Sequence, residues 1–208
     1  MYRPPAFAFD DEAEIDRLMQ RYPFGVLVTE GSDGFPHATH LPMLAQRSES
    51  GLRLIGHIAR ANPQCDAIRG GAPALAVFTG AHAYISPSWY EPLYPQVPTW
   101  NYSAVHARGH LREASEPQAI LAHLTAHFEA SFERPWEFAK LDASFVENQV
   151  RGIVAFELLV ERIDGKAKLS QNREARDAAG AIAGLRASGE PLDRACAAEM
   201  QRFYERRR

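Results

Sequence analysis

The sequence predicts a mainly β domain, an antiparallel barrel with helices at its periphery and a helical pair after residue 174. Three observations lead there. Short apolar runs recur between turns rich in Gly, Asp and Pro. Successive runs are joined by connections too short for crossover helices, so the strands return antiparallel rather than in the alternating order of a Rossmann sheet. Helical periodicity is confined to a few stretches, two of which follow each other near the C-terminal end.

Residues 10–22 read as a short helix. Asp11 and Glu14 stand at cap-to-third-position spacing, Ile15, Leu18, Met19 and Tyr22 recur on one face, and Pro23 ends it. Phe24 to Thr29 is a strand, Gly31-Ser32-Asp33-Gly34 its turn, and His37 to Met43 the returning strand, with Pro42 marking an edge, a bulge or an end. Leu52 to Ile58 is the next strand, reached across a polar loop from Gln46 to Gly51. Ala59 to Pro63 opens a short helix through Ile68. Ala74–Thr79 and His82–Ile85 read as two strands around Gly80, and Thr99–Leu111 as another. Between them Ser86 to Pro98 holds four prolines with Trp89, Tyr90 and Tyr94, a composition that points to a functional or interfacial loop. Ser115 with Gln118 has the capping-box pattern before a helix whose apolar face is Ile120, Leu121, Leu124, Phe128 and Phe132. A second helix is expected from Trp136 to about Asn148. Gly152 to Ile163 is the most apolar strand, and Asp164-Gly165 is read as a turn toward Lys168 to Arg173. Glu174–Ala187 and Leu192–Arg206 are helical, with Gly189-Glu190-Pro191 between them. The expected organisation is one domain, residues 1–173 carrying the barrel and 174–208 a helical extension of it.

Composition narrows the function. The chain has 208 residues, 46% hydrophobic and 24% charged, the balance of a globular protein rather than a disordered or fibrous one. Twenty-three Lys and Arg face 26 Asp and Glu, a formal charge of −3, so general polyanion binding is disfavoured. The one dense basic run is Arg206-Arg207-Arg208. No apolar stretch approaches the roughly 20 residues that cross a bilayer, and Met1-Tyr2-Arg3-Pro4-Pro5 lacks the apolar core of a signal peptide. Cys65 and Cys196 are far apart, without CxxC spacing or a neighbour that would stabilise a thiolate. A cytoplasmic protein without membrane attachment or disulfides is the expectation.

Four polar and aromatic segments stand out from the core pattern: Thr39-His40, His57 to Pro63, Pro98 to Tyr102, and Lys168 to Arg173. Together they supply cations, amides, hydroxyls and flat apolar surfaces, the mixture a phosphorylated planar cofactor needs. A phosphate takes Arg or Lys and short donors, and Arg60 precedes a short helix. An isoalloxazine ring needs an apolar face with amide or hydroxyl partners, which Trp100, Asn101, Gln171 and Asn172 offer. There is no GxGxxG, GxxxxGK[ST] or GxSxG motif. His123 and His127 are one helical turn apart, and His106 and His110 share a strand face. No HExxH or Cys partner accompanies either pair, so no metal site is expected.

At these segments the chain resembles the PaiB family of FMN-binding negative transcriptional regulators. The resemblance rests on the Met-Tyr-x-Pro start, His37-Ala-Thr-His-Leu-Pro42, His57-Ile-Ala-Arg-Ala-Asn-Pro63, His82-Ala-Tyr-Ile-Ser-Pro-Ser-Trp-Tyr90, Val97-Pro-Thr-Trp-Asn-Tyr102 and Lys168-Leu-Ser-Gln-Asn-Arg173. It implies a six-stranded split β-barrel of the pyridoxamine-phosphate-oxidase type, working as a homodimer that binds FMN at the subunit interface. By position it places Thr39, His40 and Leu41 along the FMN edge and His57, Arg60 and Asn62 at the phosphate. Lys168, Ser170 and Gln171 approach from the late strand, and Asn101 and Tyr102 complete the wall from the other subunit. The chain departs from the family at Cys65, where a bulkier residue is usual. DNA contact is implied by the family name alone: the mixed charges of the C-terminal pair suit two solvated amphipathic helices better than a groove reader. The expectation is a dimeric FMN-binding regulator. The alternatives are an FMN-dependent oxidoreductase or flavin reductase, with His40, His57 and Tyr102 as proton-donor candidates, and a haem- or small-molecule-binding barrel without turnover.

Overall fold

The computed structural model describes residues 1–91 and 95–206. Pro92 and Tyr94 of the proline-rich loop, and Arg207 and Arg208 of the basic run, lie outside the described residues. Among the described residues there are eight strands: β1 (Ala8–Phe9), β2 (Phe24–Glu30), β3 (Pro36–Pro42), β4 (Leu44–Ser48), β5 (Gly51–Ala59), β6 (Pro73–Ile85), β7 (Thr99–Glu113) and β8 (Ile153–Lys168). Six α-helices accompany them among the described residues: α1 (Glu12–Arg21), α2 (Gln64–Arg69), α3 (Pro117–Glu129), α4 (Ala143–Arg151), α5 (Ala175–Ala187) and α6 (Pro191–Glu205). The strands form one sheet in the order β3-β2-β6-β7-β8-β5-β4, with β1 paired to β8. The expected count of six strands is therefore corrected to eight.

Two of the differences share one cause. Gly80 does not separate two strands, because β6 runs through it: a Cβ there would sit 2.2 Å from Ser103 Oγ, so the glycine permits a close approach rather than a turn. Asp164-Gly165 likewise continues β8. Gly165 pairs with Phe9 of β1, and a Cβ on it would meet the Phe9 carbonyl oxygen at 2.5 Å. The loop expected over Gln46–Gly51 contains most of β4: Gln46 and Ser48 share a face with buried Leu44 and are polar, so no apolar alternation shows. The helix expected from Trp136 begins later. Asp142 caps α4 by accepting from the backbone N–H groups of Ser144 (2.9 Å) and Phe145 (3.3 Å). At α3 the cap is Glu116, without a side-chain bond, and Pro117 starts the helix in place of a Ser115 capping box.

The chain divides into two compact units. One holds residues 22–78 and 106–163. Here β2 pairs with β3 from Phe24↔Pro42 to Glu30↔Pro36, and β5 pairs with β8 from Arg53↔Leu159 to Ala59↔Ile153. Strands β3 and β4 occupy opposite ends of the sheet order, yet only Met43, fully buried, joins them in the chain. A sheet whose two ends are one residue apart in sequence has to curl onto itself, which is the origin of the barrel. Leu27, Leu54, Ile68, Phe78, Phe156 and Leu158 fill this unit, and α3 covers it through Ile120 and Leu124 packed on Leu44 and Ile55.

The other unit holds Met1–Arg21, Thr79–Val105 and Asp164–Arg208. Asp11 caps α1, accepting from Ala13 N–H (3.0 Å) and Glu14 N–H (3.3 Å), as the sequence spacing predicts. The helix buries Ile15, Leu18 and Met19. α5 and α6 form a helical hairpin, and α5 presents glycines to the 3-10 turn Pro87–Trp89: a Cβ on Gly184 would lie 2.3 Å from the Trp89 indole. Tyr90 is buried, with the Arg173 guanidinium 4.9 Å from its ring centroid. Trp89 and Tyr90 of the 86–98 loop thus pack within this unit.

Candidate functional site

The structure brings the sequence-selected residues together in two groups, one in each unit. In the first, β5 ends at Ala59 and the chain turns through Arg60–Pro63 into α2. Asn62 N–H donates to Ala59 O (2.9 Å), and Asn62 Oδ1 accepts from Gln64 N–H (2.9 Å), shaping the turn. Asn62 Nδ2 donates to Thr39 Oγ1 (2.9 Å), and the Thr39 hydroxyl donates to Gln64 Oε1. Gln64, 1% exposed, closes the ring: its Nε2 donates to Thr29 Oγ1 (3.0 Å), His37 O (3.2 Å) and Leu27 O (3.3 Å). Thr39 and Asn62 therefore fix the turn to β3 with their polar atoms. Gln64 escaped the sequence reading; the one available hint was an amide in the first turn of a helix beside Cys65 and Ile68, positions of core type.

Around this lock sit the charged and aromatic members. Arg60 donates from Nε to Arg151 O (2.6 Å) and from Nη2 to Ile153 O (2.7 Å), and its N–H bonds Gly152 O (2.9 Å). A guanidinium at the C-terminal end of α4 suits the negative end of the helix dipole. His40 is exposed and stacks on Phe24, itself exposed, with centroids 6.3 Å apart. The Leu41 side chain is buried in the core. His57 is half-buried, and its Nδ1 has no partner among the described residues.

Burial pushes the His57 imidazole below the usual histidine range. Because the folded state resists protonation that the unfolded chain accepts, this group's contribution to stability is complete above pH of about 6.5. It is lost as pH falls through the lower folded value. His57→Asn is expected to flatten the acid limb of a plot of unfolding free energy against pH. An unchanged slope would show that His57 is not the source.

In the other unit, Asn101 is fully buried. Its Nδ2 donates to Ser170 Oγ (2.8 Å) and contacts Met200 Sδ (3.3 Å), while its Oδ1 has no partner among the described residues. Ser170 is the one non-glycine residue at positive φ (67°) among the described residues, and its carbonyl accepts from the Tyr204 hydroxyl (2.8 Å). Gln171 turns back on its own strand end, accepting from Leu169 N–H (2.6 Å) and donating to Ala167 O. Lys168 Nζ donates to Thr99 Oγ1 and to Trp100 O (2.9 Å). Burial, then repulsion from Lys166 and Arg173, lowers the pKa of its ammonium. Lys166 lies 5.2 Å from the Tyr102 ring centroid. Both cysteines are buried, with burial pushing the Cys65 thiol up and the Cys196 thiol up to about 12; Cys65 donates to Ala59 O (3.4 Å). Neither is a ready nucleophile.

Residues 1–162 match a family profile described as "Putative FMN-binding domain". The matched span ends before Lys168. The chain is 37% identical over 179 residues to "Protease synthase and sporulation protein PAI 2" of Bacillus subtilis, covering 85% of each chain. It is 27% identical over 212 residues to the uncharacterized protein AN0679 of Emericella nidulans, covering 82% of this chain and 84% of that one. Among solved structures, the FAD and heme binding protein from Mycobacterium smegmatis aligns with a TM-score of 0.60 at 19% identity, over 77% of this chain and 73% of that one. The flavocytochrome Anf3 from Azotobacter vinelandii aligns with a TM-score of 0.58 at 13% identity, over 80% and 72%. At these identities the structural likenesses establish the fold. The profile match over most of the chain, together with the PAI 2 identity, places this protein in the PaiB-like family of FMN-binding proteins, whose cofactor is FMN.

Proposed function

We propose that the chain is a homodimeric FMN-binding protein with the regulatory role of the PaiB class, and that the Arg60 turn is its phosphate end. The observation that carries this is the interlocked Thr39–Asn62–Gln64 ring, which holds a turn bearing Arg60 against the strand bearing His40. The residues present fit FMN. Its phosphate is an acceptor, and His57 Nδ1 is a buried imidazole nitrogen without a protein partner among the described residues. Arg60 has two of its five N–H donors on backbone carbonyls, and the rest of its fork is available to an oxyanion. Arg60 and His57 would hold the phosphate; the Phe24–His40 stack gives a flat surface for the ring edge. Thr39, Leu41 and Asn62 keep strand and turn in place. Bound FMN supplies a ring that takes up or releases electrons.

The regulatory role does not need α5 and α6 to read DNA. Arg202 and Arg206 of the α6 segment are engaged by Glu14 and Asp11, and Arg194 donates to Gly189 O (2.7 Å) and Ser188 O (3.1 Å). The dimer is supported by exposed aromatic surface on β6 and β7: Tyr84 and Trp100, about half exposed, meet edge to face at 6.2 Å.

The test is a titration of the full chain with FMN, followed by quenching of flavin fluorescence, with light scattering for mass. Wild type is expected to bind saturably as a dimer. Arg60→Ala is expected to bind about tenfold more weakly, as for loss of one charge-assisted contact, while still unfolding cooperatively. Wild-type affinity in Arg60→Ala removes the phosphate role of Arg60, and a monomer that ignores FMN overturns the reading.

A further inference from the structure

A cavity of about 530 Å³ lies within the unit formed by the two chain ends and the 79–105 segment, between the N-terminal residues, α1 and α6. It contains none of the phosphate-end residues. One side is apolar, made by Phe9, Leu18, Leu169 and Phe203. The other is an array of three carboxylates and three guanidiniums. Arg17 grips Glu199 with both terminal nitrogens (3.0 and 2.5 Å) and reaches Glu14 Oε2 through Nε (2.9 Å). Arg202 and Arg206 also bond Glu14, and Arg206 Nη2 donates to Asp11 Oδ2 (2.7 Å).

The donor arithmetic of this wall is one-sided. Every oxygen of Asp11, Glu14 and Glu199 already accepts at least one hydrogen bond, and those of Glu14 accept from three arginines. The arginines are not saturated: among the described residues Arg202 uses only Nε and Nη2, and Arg206 only Nη1 and Nη2. A guanidinium has five N–H donors. The lining is therefore neutral in charge and has more spare donors than spare acceptors, which favours a further acceptor over a further cation. Both arginines have side chains 44% exposed, which puts the surplus donors where solvent and a ligand can reach them. At the inner end Ser103, 3% exposed, has a hydroxyl without a partner among the described residues. The size suits a small organic ligand.

We propose that this cavity binds a small amphipathic carboxylic acid, its carboxylate on Arg202 and Arg206 and its apolar body against Phe9, Leu18 and Phe203. Occupancy ties α1 to α6 and adds a ligand site apart from the Arg60 and His57 phosphate end.

Isothermal titration of the full chain with phenylacetate and with octanoate tests this, with phenethylamine as the matched cation. Saturable binding of the two acids and none of the amine is expected. Arg202→Gln and Arg206→Gln are each expected to weaken the acids about tenfold. Ala6→Trp fills the cavity from an exposed position, leaves the ion pairs intact and is expected to abolish binding. Amine binding as tight as acid binding, no heat from either acid at about 1 mM, or acid binding unchanged in Ala6→Trp would each overturn the proposal.

Discussion

Gln64→Leu is expected to destabilise the protein by about 3 kcal/mol and to weaken FMN binding by at least about tenfold. Leucine nearly matches the volume, so the loss is polar. Removing the amide takes one partner from Thr29, Thr39, Leu27 and His37, all in or beside a buried sheet surface. Each buried group left unsatisfied costs about 1–3 kcal/mol, and re-pairing of some of the four brings the total below the sum of four such costs. The effect on FMN has a separate origin: Thr39 loses Gln64 Oε1, the direct Asn62–Thr39 bond is left to hold the turn to β3, and Arg60 is held less firmly. Urea unfolding measures the first effect through a lower midpoint at constant slope, and FMN titration below the transition measures the second. A variant within about 1 kcal/mol of wild type would mean that the network is surface decoration.

Gly109→Ala is expected to cost more than about 3 kcal/mol and to appear as loss of soluble protein. A Cβ at this position of β7 would fall 1.8 Å from Leu159 O and 3.0 Å from Val160 Cα, both backbone atoms of β8 that side-chain rotation cannot move. Relief would require two paired strands to part. Gly189→Ala is the internal control: its Cβ meets nothing within 4 Å, so a change within about 0.5 kcal/mol is expected. Equal melting temperatures for the two variants would show that β7 and β8 are not so closely apposed.

The pattern of apolar alternation made β2, β3, β5 and β7 legible, and helical spacing with its cap did the same for α1. Glycine was where reading failed. At Gly31–Gly34 it marks a turn, as expected, with Gly34 at φ 85°. At Gly80 and Gly165 the same residue sits inside a long strand because another element presses on it, and nothing local distinguishes the two uses. In β4 the polar Gln46 and Ser48 on the face of buried Leu44 hid a strand, since alternation is visible only where the outer and inner residues differ. In the site, segment composition identified His57 and Arg60 as candidates because they are close in sequence. Gln64 was out of reach: its partners come from β2 and β3, at least 25 residues away. Donor direction was also invisible. Asn101, Ser170 and Gln171 bond one another, Met200, Tyr204 and nearby backbone, while Asn101 Oδ1 has no partner among the described residues.

The single-residue junction at Met43 constrains how such a chain can change in length. An extra residue there would reverse the inside and outside of every side chain in one of the two strands it joins, driving Leu41 or Leu44 into water. The hairpin tips at 32–35 and 49–50 carry no such penalty, because added residues there lengthen an exposed bend. Natural variation in length, and any fluorescent or affinity tag grafted within the chain, is expected at those tips and never between Pro42 and Leu44.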